Sequence, residues 1–294
     1  MKISLVVCTK DRSKSLIKCL DSLNLAILNF GVGLAEVVIV DNNSTDDTKI
    51  VVRDWASGQP FPVVYVLEKR PGLSAARNAG VSAATGEIIA FTDDDCILSK
   101  QYLLDLDRHY TGEIELVIRG GRVELGDPSD LPITIKTDDQ AAYWMEPAHP
   151  AGFIHGANFT LRREVFDLLG PFDEELGAGT LFPGEDLDYL IRAATAGVRI
   201  HYVPDMVVHH FHGRKEYSQA ARLFKQYMKA NGALYIKHMF KRPQFTKHFF
   251  WIIRNWIVDS ISGGNFRVDG LPFGYKDIAL GNISGMFLYV FRKK

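Results

Sequence analysis

Gly86–Cys96 reads GEIIAFTDDDC. The apolar run Ile88–Phe91 has the character of a strand buried inside a sheet. Thr92 and three consecutive carboxylates, Asp93, Asp94 and Asp95, close it. In an open parallel sheet, ligands bind outside the carboxyl ends of the strands. Three acids gathered there repel one another unless a positive partner stands among them. A hard divalent cation that also touches a diphosphate meets that need. An acidic surface turn is the plainer alternative, but these acids directly follow a strand apolar enough to lie inside the sheet.

Outward from this stretch, strands and helices alternate. ISLVVC at Ile3–Cys8 is a continuous apolar run, as in a parallel strand buried on both faces. Leu16, Cys19, Leu20 and Leu23 then recur at helical spacing. EVVIV at Glu36–Val40 is a second strand and runs into Asp41-Asn42-Asn43-Ser44-Thr45-Asp46. Val63–Leu67 is a third strand, and Arg70-Pro71-Gly72 turns into a helix that Gly86 ends. Such alternation predicts a right-handed α/β sheet. The turn after the first strand, Thr9-Lys10-Asp11-Arg12-Ser13, holds no glycine. That departs from the dinucleotide and P-loop patterns, so a nucleotide here has to be held by side chains at strand ends.

The middle is less regular. Tyr102–Tyr110 reads as a helix, Leu116–Leu125 as strands around a Gly-Gly bend, and Phe153–Leu161 as another strand. Residues 126–150, rich in Asp and Pro, read as a mobile loop. Gly184-Glu185-Asp186 opens a helix that stops at Gly197, Arg199–Val203 is the last strand, and His209, His210 and His212 follow Pro204.

The 294 residues are 47% hydrophobic and 23% charged, with a net charge of −1, which is ordinary globular composition. Three cysteines, Cys8, Cys19 and Cys96, form no CxxC pair and fit a reducing compartment. The first apolar run is too short for a signal-peptide core, and the expected location is cytoplasmic. The near-zero net charge conceals a split. Residues 207–294 hold 15 of the 34 Lys and Arg but 4 of the 35 acids, leaving 19 and 31 to residues 1–206. Two regions with different tasks are expected: 1–212, carrying the strand-end acids, and a basic, helical 213–294.

VVCTKDR, VDNNSTDDT, GLSAARNAGVSAATGEIIAFTDDDC, GPFDEEL and GEDLDYLIR stand in this order along residues 1–212. Together they make the chain resemble the family-2-type glycosyltransferases, inverting enzymes of the GT-A fold. The resemblance implies a Rossmann-like, mostly parallel sheet flanked by helices, here with a helical C-terminal extension. It implies a nucleoside-diphosphate-sugar donor, a glycan or glycolipid acceptor, and Mn²⁺ or Mg²⁺. Asp41 is expected at the nucleotide base, Thr9 and Arg12 around base or ribose, Asp93 and Asp94 at the donor, and Arg77 at the pyrophosphate. The metal falls to Asp95 with His210, then His209, and oxygen ligands from Asp95 and the phosphates favour these hard cations over zinc. Asp186 is the expected base and Glu185 an acceptor-orienting residue. Loop 126–150 would close over the substrates, with Trp144 as a candidate for stacking on a sugar.

The C-terminal region departs from the plain catalytic domain. FFWIIRNWIV at Phe249–Val258 is strongly apolar but interrupted by Arg254 and Asn255, and a membrane span needs ~20 apolar residues. Trp251, Trp256 and Tyr289 among basic residues suit peripheral contact with a membrane surface, at the inner face of the plasma membrane. Two rival readings remain from the sequence: a nucleotidyltransferase, which would show a glycine-rich basic loop after the first strand, and a non-catalytic polysaccharide-binding module. Nucleic acid is not an expected partner, because the ligand surface is acidic and carries no nucleic-acid motif.

Overall fold

The computed structural model describes residues 1–264, 266–268 and 271–292. Its first half follows the expected alternation. Strands β1 (Ile3–Thr9), β2 (Ala35–Asp41), β3 (Val63–Leu67) and β4 (Ile88–Asp93) are joined by helices α1 (Ser13–Phe30), α2 (Thr48–Ser57) and α3 (Leu73–Ala83). The strands align in parallel in the order β3-β2-β1-β4. Leu5, Val7, Val37 and Ile39 enter one core cluster and Val6, Val38 and Val40 another, so successive residues bury on opposite faces. The order of the sheet reverses between β1 and β4. That switch point brings Thr9 and Asp93 to one edge, where α/β sheets bind ligands.

Beyond β4 come β5 (Cys96–Leu98), α4 (Tyr102–Tyr110), β6 (Val117–Leu125), β7 (Ala142–Tyr143), β8 (Asn158–Arg162), α5 (Arg163–Leu169), α6 (Glu185–Thr195) and β9 (Arg199–His210). They extend the sheet to nine strands in the order β3-β2-β1-β4-β8-β6-β9-β5, with β7 also on β9. The sheet is mostly parallel, as expected: β1 to β4 pair in parallel, and β6 pairs in parallel with β9. β8 runs antiparallel to both neighbours, and β5 and β7 run antiparallel to β9. The α/β sheet flanked by helices is as expected; its second half is mixed.

Three local readings are corrected. The strand read over Phe153–Leu161 begins only at Asn158, because the preceding residues turn to bring Gly156 to the site. β6 does not bend at its glycine pair. A Cβ at Gly120 would lie 1.8 Å from Ile154 Cγ2, and one at Gly121 would lie 1.9 Å from the Met206 carbonyl oxygen. The pair admits neighbours on both faces of a continuous strand, and register against β9 shifts just after it. β9 likewise runs through Pro204 to His210.

Helices α7 (Tyr217–His238), α8 (Pro243–Ile261) and α9 (Tyr275–Phe291) complete the chain. They are fastened to the sheet region. Leu234 and Tyr235 of α7 share a buried cluster with Leu187 and Ile191 of α6. Fully burying one such side chain contributes about 1.5–3 kcal/mol. Asp188, with no exposed surface, accepts hydrogen bonds from His238 Nε2 at 2.7 Å and Arg192 Nε at 3.1 Å, and Lys237 Nζ lies 2.7 Å away. α7 and α9 cross in backbone contact, since a Cβ at Gly232 would lie 1.9 Å from the Asn282 carbonyl oxygen and one at Gly285 1.9 Å from that of Lys229.

Candidate active site

The carboxyl ends of β1 and β4 open into a cavity of about 750 Å³. Cys8–Lys10, Arg12 and Asp93–Asp95 form its floor. The starts of α3 and α6 form two sides, and Phe224, Tyr227 and Asn231 of α7 form another. Gly184, at φ +139°, caps α6 in a conformation that glycine favours, and its Cα faces Ala230 and Leu234 of α7.

The three strand-end acids part company according to their neighbours. Asp94 accepts from Thr9 Oγ1 at 2.7 Å and Arg12 Nη1 at 3.0 Å, and the same Arg12 nitrogen lies 2.5 Å from Asp95 Oδ2. Burial pushes the Asp94 carboxyl up to about 6, against the pull of Arg12 and Thr9. Burial also opposes ionisation of Asp95, but the hydrogen bond and charge of His210, then those of Arg12, hold that carboxyl at about 2. Asp93 is raised by burial and then by the charge of Asp95. His210 in turn is raised: burial works against its charge, and Asp95 overcomes it.

One ligand atom from each of Asp93, Asp95, Cys96 and His210 falls within 4.8 Å of the others. Asp95 Oδ1 lies 3.3 Å from His210 Nε2, and His210 Nδ1 is buried without a hydrogen-bond partner. A buried polar atom left unmatched costs free energy. Two carboxylates and an imidazole fit a hard divalent ion. Burial keeps the Cys96 thiol protonated and so a poor ligand for such an ion.

Across the cavity, Arg77 is buried and bonded to Glu185 Oε1 at 2.8 Å and to the Gly156 carbonyl at 3.2 Å. The Gly156 N–H donates to Asp186 Oδ2 at 3.1 Å. A Cβ at Gly156 would lie 2.7 Å from Arg77 Nη2, so this backbone passes between Arg77 and Asp186 because the residue is glycine. Asp186 remains partly open to the cavity while Glu185 is buried in its ion pair.

The fold therefore brings Thr9, Arg12, Arg77, Asp93, Asp94, Asp95, Glu185, Asp186 and His210 around one space. It does not bring Asp41 or His209 there. Asp41 is buried in its turn, accepting from the Ser44 N–H and from Tyr65 Oη, both at 2.7 Å. Its neighbour Asn42 lines the cavity instead. His209 sits one residue off the cavity-facing register of β9, with Nδ1 3.4 Å from Glu124 Oε2. His212 faces the Leu131 carbonyl at 3.1 Å. Trp144 is half-buried and packs against the edge of a core cluster, donating its indole N–H to the Ala148 carbonyl at 3.2 Å, away from the cavity.

Several lining residues carried no assignment from the sequence: Lys10, Asn42, His155, Arg214 and Tyr227. Lys10 and Asn42 belong to the strand-end motifs and could have been found there. Tyr227 could not, because helical periodicity tells which residues share a face and not what that face meets.

The model for glycosyl transferase family 2 matches residues 4–170, and that for glycosyl transferase family group 2 matches 88–291. The chain belongs to glycosyl transferase family 2. It is 26% identical over 207 residues to the glycosyltransferase AglE of Haloferax volcanii, covering 70% of this chain and 65% of that protein. It is 28% identical over 178 residues to the succinoglycan biosynthesis protein ExoM of Rhizobium meliloti, covering 59% and 55%. The chain thus spans between half and two thirds of these relatives' length. Among solved structures, S. aureus TarS 1-349 in complex with UDP-GlcNAc superposes with a TM-score of 0.63 at 20% identity, covering 81% of this chain and 67% of that one. The mannosyltransferase PcManGT of Pyrobaculum calidifontis, in complex with GDP-Man and Mn²⁺, gives 0.61 at 17% identity, covering 100% and 88%. The shared fold is the GT-A fold.

Proposed function

We propose that this protein is a metal-dependent, inverting glycosyltransferase that moves a sugar from a nucleoside diphosphate to an acceptor hydroxyl in cell-surface polysaccharide or glycolipid synthesis. The observation that carries the reading is the pairing, across one cavity, of the strand-end acid cluster with the partly open Asp186 carboxylate. The relatives' roles in polysaccharide synthesis and the neighbours' nucleotide-sugar ligands support it.

Asp95 and His210, with Asp93, would hold Mn²⁺ or Mg²⁺, which supplies neutralisation of charge on a leaving diphosphate. Lys10, Arg12 and Arg214 bring further positive charge to the donor end. Asp186 takes the proton of the acceptor hydroxyl as its oxygen bonds to the sugar's anomeric carbon and the bond to the diphosphate breaks. The Gly156 N–H fixes one oxygen of that carboxylate, and the Arg77–Glu185 pair fixes the start of α6. Thr134 and Pro150 bring loop 126–150 to the cavity wall, where it limits access of water to the donor. Asp41 acts through the turn it braces, which presents Asn42 to the cavity.

We also place the protein at a membrane surface. No helix among the described residues is long and apolar enough to cross a membrane. Yet Phe250, Trp251, Ile257, Val258 and Ile261 of α8 and Phe287, Val290 and Phe291 of α9 stand exposed, with Lys247 and Arg254 beside them. Trp256 and Tyr289 are half-buried, so Trp251 is the aromatic best set to meet headgroups.

Calorimetry with UDP and GDP tests the central reading. Binding of one of them should require Mn²⁺ or Mg²⁺ and weaken about a hundredfold in Asp95→Asn. Undiminished binding in EDTA would remove the metal role.

A further inference from the structure

The cavity is chemically divided, and the division assigns its second half. Its floor, at the ends of β1 and β4, carries the charges that suit a diphosphate and its ion. The α7 face opposite carries none of either sign: Leu223, Phe224, Gln226, Tyr227 and Asn231 meet the space with an aromatic pair, two amides and an aliphatic. We infer that this face of α7 is the acceptor subsite, binding the terminal sugar ring of a glycoside and presenting its hydroxyl to Asp186. The inference rests on the glycosyltransferase reading above and deepens it.

α7 is fixed on its other sides. Gly232 seats it against α9, and Asp188 ties its last turn to α6 through Lys237 and His238. Leu223, Tyr227 and Asn231 recur every four residues along the remaining side, so they form one stripe along the helix. Tyr227 keeps 39% of its surface accessible although it stands inside the cavity. Phe224 is held flat against Phe273, with ring centroids 5.2 Å apart. An exposed aromatic face inside a concave site, bordered by amides, is how neutral polar rings are bound: ring faces take C–H surfaces, while phenol and amide meet hydroxyls. Tyr227 lines the same cavity as Asp186. Its phenol is raised by burial and then by the charges of Asp186 and Glu185. A cavity of this volume lies in the upper part of the ~300–1,000 Å³ that small-molecule sites occupy, which leaves room for a sugar beside a nucleotide.

The test uses the full chain loaded with Mn²⁺ and UDP or GDP. Saturation-transfer NMR would probe p-nitrophenyl glycosides of glucose, galactose, mannose and N-acetylglucosamine. At least one glycoside should bind. Its affinity should fall about tenfold or more in Tyr227→Ala and in Asn231→Trp, which fills the stripe, while nucleotide affinity changes less than about twofold. Tyr227→Phe keeps the ring and removes one hydrogen bond, and should weaken the glycoside about threefold to tenfold. That milder variant decides the matter should the others melt early. Glycoside affinity unchanged across the variants, or no glycoside bound while the nucleotide binds, overturns the α7 subsite alone. Failure of the nucleotide as well overturns the glycosyltransferase reading with it.

Discussion

The strand ends and the cavity face of α7 meet the same space from opposite sides, and they are built by different means. At the strand ends, sheet register places each group: Thr9 and Asp94 come together because β1 and β4 are hydrogen-bonded neighbours. One residue of displacement along a strand would turn a ligand away from the site, as His209 beside His210 demonstrates. On α7 no single group is placed so tightly, and what is fixed is a surface, set by the glycine crossing with α9 and the buried Asp188. The strand ends therefore suit chemistry that depends on the positions of charges, and the helix suits recognition of a shape.

If this contrast is right, the largest single effect belongs to the charged side. Asp186→Asn should fold and bind nucleotide normally while transfer falls by about a hundredfold or more, as for loss of a general base. Near-normal turnover from a folded variant would break the assignment and leave Glu185 next in line, although its ion pair with Arg77 argues against it.

The second effect concerns what joins the two sides. Asp188→Asn removes the charge shared by His238, Lys237 and Arg192 and should destabilise the protein by about 3–5 kcal/mol, read by urea denaturation. A loss under about 1 kcal/mol would mean that hydrophobic packing alone holds α7 in place.

A smaller effect is expected at the outer faces of α8 and α9. Trp251→Glu with Ile257→Glu should reduce flotation with anionic vesicles about tenfold at low salt, with the melting temperature unchanged. Full-length protein that stays with the soluble fraction at low salt would end the membrane reading.

A last effect lies at the seam between the regions. His149 packs between Tyr235, Phe245 and His248, and burial, then the charge of His248, pushes its imidazole down to about 3. The folded state thus prefers it neutral. This stability is fully present above about pH 6.5 and is lost as pH falls toward 3, amounting to roughly 2 kcal/mol by pH 5. Melting curves from pH 7.5 to 5 should decline, and His149→Phe should flatten part of that decline.

The same contrast governs what could be read from the chain. β1 to β4 were legible because uninterrupted apolar runs such as Ile88–Phe91 belong to strands buried on both faces, and their terminal acids fall where such sheets bind ligands. The mixed half was harder. Gly120 and Gly121 look like a bend until the close approach of Ile154 and Met206 shows what they admit. Pro204 looks like a strand end but lies within β9, at its register shift against β6. Choosing among three histidines, or moving Asp41 behind Asn42, needs the register itself. The α7 wall was beyond reach, since nothing local in Tyr227 or Asn231 signals a partner more than thirty residues away.

Arg12 has a consequence for how the chain folds before the proposed ion binds. A chain whose metal site is its only source of positive charge stays unfolded until supplied. Here one guanidinium already bridges Asp94 and Asp95, so the chain carries its own counter-ion into folding. Under the metal requirement proposed above, maturation and metal supply become independent events. A cell short of the ion would then accumulate a folded, idle protein that recovers within the time of a binding step instead of a round of synthesis.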